Sequence, residues 1–244
     1  VQARLTRAAI AHVRGDIVAA RADCEALRQS APTVAVICRA IGESLSGHNA
    51  QALARLENVT DPQLRGWALS LAGEIHEQQG APDSAVRAYN ASLALDDDLY
   101  TTVALVDALI AQQRWAQAEA LLVPLPSTDA VLLRRWIVAR KQQRDAAALQ
   151  KLLADRFAAA QVRGEFLHAR EAALFALELG DSATALKLAR QNWNDQREPA
   201  DLRILALAAR AASDAATLAE VSDWLARSGL RDVRVERALN SVKS

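Results

Sequence analysis

The chain has 244 residues, of which 51% are hydrophobic and only 4% aromatic, and its 29 basic and 29 acidic residues cancel. This balance excludes the basic character that is typical of nucleic-acid-binding proteins, and no window approaches the roughly 18–20 apolar residues of a membrane-spanning helix. Alanine is abundant, strand formers are sparse and no long alternating apolar run occurs, so the sequence predicts an all-α protein that does not insert into membranes.

A glycine followed five positions later by an alanine recurs along the chain. In chain order the pairs are Gly15 and Ala20, Gly47 and Ala52, Gly80 and Ala85, and Gly180 and Ala185. Each glycine is expected to end one helix and each alanine to lie in the middle of the next. The alanine spacing is about 32 to 34 residues in the first half of the chain, with Gln113 and Ala118 in place of one pair. This period predicts helix–turn–helix repeats.

The predicted repeats cover the whole chain. The clear repeats are 1–34, 33–65, 66–99, 99–128 and 166–199, the degenerate ones are 129–165 and 200–232, and a short helix follows from about 231. The degenerate repeats are expected to turn at Arg144-Asp145 and Ser213-Asp214. Because a helix pair of this size buries its apolar stripe only by stacking on its neighbours, we expect one elongated solenoid domain spanning 1–244.

The repeat at 66–99 carries the most complete pattern. Its first helix has Leu69, Ala72, Gly73 and His76 on one face, and its second has Ala85, Tyr89 and Leu93. This pattern resembles the tetratricopeptide repeat family, whose small–small–aromatic packing triad is matched by Gly73, Ala85 and Tyr89. Gly15, Ala20 and Pro32 match the family's turn, small and closing positions. Cys24, Leu56 and Val106 depart from it. The resemblance implies a right-handed α-solenoid of about seven repeats; other helical-pair repeats usually have longer units.

The two cysteines lie on helices that should pack side by side. Cys24 falls on the second helix of the first repeat and Cys38 on the first helix of the next. A disulfide between them would close a loop of about 15 residues and contribute roughly 3 kcal/mol. The even count, the plausible geometry and a chain that begins at Val1, as a processed chain would, favour the bond. The alternative is two buried free thiols.

The resemblance also bears on location. The paired cysteines and the segments 14–24, 166–181 and 192–201 resemble exported tetratricopeptide repeat proteins of the Gram-negative cell envelope. This resemblance implies a periplasmic protein, with the cytoplasm as the alternative.

The sequence offers no recognisable catalytic or metal-binding motif. The histidines His12, His48, His76 and His168 are isolated, and no HExxH, CxxC, GxSxG, Walker or GxGxxG motif occurs. We therefore predict no metal, no cofactor and no enzymatic activity. The enzymatic alternative is a site built from Arg140, His168 and Glu171.

The first helices of successive repeats are expected to line a concave surface, as the resemblance implies. The predicted partner-binding residues are Leu5, His12, Ile37, Ile41, Trp67, Glu74, Tyr100, Arg134, Arg140, Lys141, His168 and Arg170. Apolar residues at the N-terminal end suit an amphipathic helix or an extended apolar peptide. The basic segment 132–144 is interpreted either as an anchor for an acidic or phosphate-bearing ligand or as a solvated face with Trp136 packed inward.

These observations favour a non-catalytic scaffold that binds a peptide or helical segment of a protein partner in its groove. The alternative is a structural subunit that self-associates, or docks on a membrane protein, through its exposed end faces, one of which Val1 would open. A monomer is expected for the scaffold.

Overall fold

The computed structural model describes residues 1–165 and 169–240, and within these ranges the chain forms fifteen α-helices and no strand. The helices are α1 Gln2–Val13, α2 Ile17–Ala26, α3 Pro32–Leu45, α4 Asn49–Glu57, α5 Pro62–Gln78, α6 Pro82–Leu93, α7 Leu99–Ala111, α8 Trp115–Leu122, α9 Asp129–Lys141, α10 Ala147–Val162, α11 Ala169–Leu179, α12 Ser182–Asp195, α13 Pro199–Ala212, α14 Ala215–Ser228 and α15 Val233–Asn240. The predicted all-α solenoid is confirmed.

Local chemistry explains where the helices begin and end. Asp98 caps α7 by accepting a hydrogen bond from the backbone N–H of Thr101, which satisfies one of the free donors of a helix N-terminus. Helix α5 begins at Pro62 behind the cap residue Asp61, four residues before the repeat boundary expected at 66. The assignment of repeats to particular residue ranges stays a prediction.

Two layers of helices build the array. Each odd-numbered helix from α1 to α11 packs against the next odd-numbered helix, whereas neighbouring even-numbered helices lie farther apart within the described ranges. In a curved array the layer with the closer neighbours lies on the inside, so the odd-numbered helices form the inner face. The small side chains at the centre of the even-numbered helices, such as Ala20, Ala52 and Ala85, are fully buried between the layers.

The array bends far enough that its last helices touch its first repeats, so the expectation of an elongated unit is wrong. The backbone N–H of Arg197 donates to the carbonyl of Val13 at 2.6 Å, and the Nδ2 of Asn49 donates to the carbonyl of Arg231 at 3.4 Å. Helix α15 packs against both α13 and α5. We call this set of contacts the closure interface.

The interior is nevertheless not a solid globule. The accessible surface is 12536 Å², whereas a globular monomer of 26.3 kDa exposes roughly 10,600 Å². The excess fits a coiled array whose inner face stays partly open.

Candidate functional site on the inner face

Three arginines on the inner helices each bridge two carboxylates. Arg134 on α9 contacts Asp107 on α7 at 2.7 Å and Glu171 on α11 at 3.7 Å. The Arg134 side chain is almost fully buried. Burial alone would lower the pKa of the Arg134 guanidinium, but Asp107 and Glu171 outweigh it and raise that pKa. Arg134 is therefore a permanent cation that connects three successive inner helices.

The second bridge joins α11 to α13. Arg170 contacts Glu198 at 3.1 Å and Asp201 at 2.9 Å, and Asn192 donates to Asp201 at 2.8 Å. Asp201 is 2% exposed. Its burial raises the pKa of the carboxyl to about 6, although Arg170 acts in the opposite direction. This bridge couples both helices of one pair, α11 and α12, to the first helix of the next pair, α13.

The third bridge joins the C-terminal helix to the middle of the array. Arg234 on α15 contacts Glu77 on α5 at 3.0 Å and Asp232 at 2.8 Å. Glu77 also accepts a hydrogen bond of 2.8 Å from the hydroxyl of Tyr89. Desolvation raises the pKa of Glu77, and Arg234 opposes this rise. The ion pair of Arg234 with Glu77 is part of the closure interface.

Glu74 lies one helical turn before Glu77 and forms no ion pair among the described residues, although Arg234 lies close enough to lower its pKa. Its carboxylate accepts a hydrogen bond of 2.9 Å from the hydroxyl of Tyr100, a residue that is 58% exposed. The pKa of Glu74 is raised to about 7, mainly by desolvation; Glu198 and Glu77 act in the same direction, and the hydrogen bond from Tyr100 acts against it. Near neutral pH this half-buried carboxyl is therefore present in both its protonated and its ionised form.

The inner face carries more negative than positive charge. The three bridging arginines meet six carboxylates, Glu74 is a seventh acid, and Arg203 on α13 is a further cation that acts on Glu77, so acids outnumber cations in this cluster. Charges in a partly desolvated concave surface are screened less than those on an open surface. The arrangement therefore attracts cationic groups.

The structure brings three of the predicted binding residues into this cluster. Glu74, Tyr100 and Arg170 come from the inner helices α5, α7 and α11, and both Glu74 and Arg170 act on the pKa of Tyr100. Leu5, Ile41 and Trp67 are half-buried on the inner helices nearer the N-terminus. His168 lies outside the described residues.

Three other predicted binding residues are buried, which corrects their assignment to an open surface. Ile37 is 0% exposed and packs in the core between the second and third helix pairs. Arg134 is enclosed by its ion pairs. His12 is 5% exposed, and burial lowers the pKa of its imidazole to about 4, so the ring is neutral. These three side chains are buried within the array and are not part of its open surface.

The basic segment 132–144 matches the interpretation of a solvated face with Trp136 packed inward more closely than that of an anchor for an anion. Trp136 is fully buried against Phe175, and Arg140 stacks on the Trp136 ring at 4.7 Å. The remaining cations are also engaged within the chain. Lys141 pairs with Glu178, Arg144 with Glu119, and Arg135 donates to the carbonyls of Leu122 and Leu125. No cluster of unused cations is left in this segment to anchor an anion.

The predicted disulfide is present. Cys24 and Cys38 are bonded, with their Cα atoms 5.5 Å apart, and both residues are buried beside Ala8. The bond ties α2 to α3 across the boundary between the first two helix pairs. Within the described ranges, no three histidine, cysteine or acidic side chains are grouped as a metal site would require. No helix in these ranges combines the length and apolar character needed to cross a bilayer.

Sequence reasoning missed the residues that depend on the array's curvature. Asp201 and Arg234 were not predicted, because their partners lie on helices that meet only when the repeats have stacked.

Comparison with known proteins agrees with the fold. No protein-family model matches the chain, and no curated protein matches it significantly. A solved structure of a tetratricopeptide repeat protein from Parabacteroides merdae is similar over 98% of both chains, with a TM-score of 0.53 and 11% sequence identity. At this identity the similarity establishes the shared fold.

Proposed function

We propose that this chain, which has the fold of a tetratricopeptide repeat protein, is a non-catalytic scaffold that binds a peptide or helical segment of a protein partner along its inner face. The observation that carries the proposal is the half-open charged surface around Glu74 and Tyr100. Because stacked repeats hold this surface rigid, a flexible partner docks without paying to order the scaffold.

The bacterial envelope is the proposed location, with the periplasm as the compartment. The support is the buried disulfide between Cys24 and Cys38, since such bonds persist in oxidising compartments and are rare in a reducing cytosol.

Partner capture with matched charge reversals tests the scaffold. The immobilised chain is incubated with a Gram-negative cell-envelope extract, and retained proteins are identified by mass spectrometry. Glu74→Lys reverses a charge on the inner face, and Glu57→Lys makes the same change at an exposed position on α4. We expect Glu74→Lys to lose proteins that the unmodified chain and Glu57→Lys both retain. Identical retention by all three would reject the inner face as the binding surface.

A second candidate is assembly through the N-terminal end of the array. Ile10 on α1 is 49% exposed, and exposed apolar side chains favour association. Sedimentation over a hundredfold range of concentration separates the two functions. A monomer throughout rejects assembly of the chain with itself, whereas dimers that Ile10→Glu abolishes would support it.

A further inference from the structure

Helix α15 lies on the inner face without belonging to a helix pair. It packs against α13 and α5, with Val235 and Ala238 buried in the same core cluster as Leu230. Its opposite side, including Arg237, is exposed. The helix is therefore amphipathic, and it lies on the array as a bound helical peptide would lie in a groove.

The contacts of α15 combine apolar burial with one directed cation. Val235 is 0% exposed, and Arg234 reaches across to Glu77 at 3.0 Å. The eight residues described for α15 are fewer than the roughly 12–15 residues that an isolated helix needs to be even marginally stable in water. Its helical form therefore depends on docking, so docking and folding of this segment occur together.

The inner face has acidic side chains that α15 does not pair with. Arg234 supplies one positive charge to a cluster in which acids outnumber cations, and Glu74, one turn from Glu77, forms no ion pair within the described ranges. A helix with more basic side chains on the same face would gain electrostatic attraction that α15 does not gain.

We infer that the inner face between α5 and α13 is a receptor for a basic amphipathic helix, and that α15 is its intramolecular occupant. The partner is a helical segment with apolar residues in the places of Val235 and Ala238 and an arginine in the place of Arg234. This inference rests on the proposed scaffold function and specifies its partner. Binding replaces α15, so the free chain holds its own groove closed.

A peptide added in trans tests the receptor. The probe is a fluorescein-labelled peptide with the sequence of residues 229–240, titrated against the whole chain and followed by anisotropy. Val235→Asp weakens docking of the chain's own α15, and Val18→Asp makes the same change at a position that is 83% exposed. Releasing the occupant should lower the apparent Kd for the peptide by about tenfold or more. We expect this effect for Val235→Asp and none for Val18→Asp.

A charge swap tests the recognition geometry. Adding Glu77→Arg to the Val235→Asp chain should abolish binding of the peptide, and a peptide carrying Arg234→Glu should restore it. Equal binding of both peptides to both chains would overturn the assignment of Glu77 as the anchor. Dimers formed by exchange of α15 between copies, detected by light scattering, would overturn the inference in favour of self-assembly.

The unmodified chain supplies a measurement that does not depend on the variants' folding. Amide hydrogen exchange over 233–240 should proceed through local opening, about tenfold or more faster than exchange in α13. Exchange of the two helices only at the rate of global unfolding would show that α15 is a fixed part of the fold and would overturn the inference. If Glu74→Lys still loses partners in that case, the scaffold function stands and only the occupant is rejected.

Discussion

Glu74 makes the inner face sensitive to pH near neutrality. Its pKa is raised to about 7, mainly by desolvation, so between its unfolded pKa and about 7 the folded chain binds more protons than the unfolded one. The stability contributed by this group is therefore present below its unfolded pKa and lost as the pH rises through the folded pKa. Above pH 7 the folded chain holds Glu74 as a carboxylate, which lowers the stability of the fold but can attract a cation.

Glu74→Gln should remove this pH dependence. At pH 8 the variant should be more stable than the unmodified chain by about 1–2 kcal/mol, a value below the full linkage of 1.36 kcal/mol per pKa unit because the site is partly solvated. Below pH 4.5 the two should converge. Urea unfolding at pH 4.5, 6 and 8 measures the difference, with Glu57→Gln as the exposed control. Parallel profiles would contradict the assignment.

Gly73 is required by a close approach and not by its backbone conformation. A Cβ at this position would lie 2.4 Å from the ring of Tyr89, which is fully buried. Gly73→Ala should destabilise the chain by about 1–3 kcal/mol, as overpacking does in other cores. Thermal unfolding measures the loss. The double variant Gly73→Ala/Tyr89→Leu should recover part of it, and purely additive losses would show that the two residues do not compete for space.

At the residue scale, the sequence was most informative where partners lie in the same repeat. Gly73 and Tyr89 were matched as a packing pair, and the structure places them in contact. Ile37 and Arg134 were assigned to the surface although both are buried. Helical periodicity identifies a face, but it does not say whether a neighbouring repeat covers that face.

At the scale of helices, the local signals were sufficient. The turn expected at Ser213-Asp214 is present, and Ser213 takes a left-handed φ of 58° in the place where other turns use glycine. Gln113, which replaces a glycine in the pattern, does the same at 59°. Helix α5 begins at Pro62, four residues before the predicted repeat boundary at 66, because the cap residue Asp61 and Pro62 lie before the apolar periodicity begins.

The disulfide joins the first helix pair to the second, so its loss should weaken the packing of α2 against α3. Replacing both Cys24 and Cys38 with alanine should lower the free energy of unfolding by about 3 kcal/mol on the chain-entropy model. Guanidinium unfolding with and without reductant measures this, and reductant should have no effect on the variant. A thiol titration of the unfolded, unreduced chain should find no free thiol. Two free thiols would remove the bond.

At the scale of the whole molecule, the closure interface decides the shape. A Cβ at Gly47 would lie 2.1 Å from the carbonyl oxygen of Gly229, and one at Gly15 would lie 2.7 Å from the ring of Trp224. The glycines that end the first helices of the early repeats thus also admit the C-terminal helices. Sequence periodicity predicted the repeats but not the closure interface. That contact depends on the curvature of the whole array, which is the sum of many small rotations between neighbouring repeats.

Gly47→Ala should open the closure interface. The matched control is Gly180→Ala, because Gly180 has a similarly positive φ of 83° but no neighbouring atom within 4 Å of the added Cβ. Both variants should lose about 1 kcal/mol or more from backbone strain. We expect small-angle X-ray scattering to show a larger radius of gyration for Gly47→Ala alone. Equal radii for the two variants would show that the contact does not hold the array closed.

Repeat arrays whose units touch only adjacent units ordinarily fray from either terminus, one unit at a time. In this chain the backbone hydrogen bond between Arg197 and Val13 joins the first unit to a late one without involving α15. Helices α1 to α13 are therefore expected to lose their structure in one cooperative transition, and α15 is expected to open locally before it.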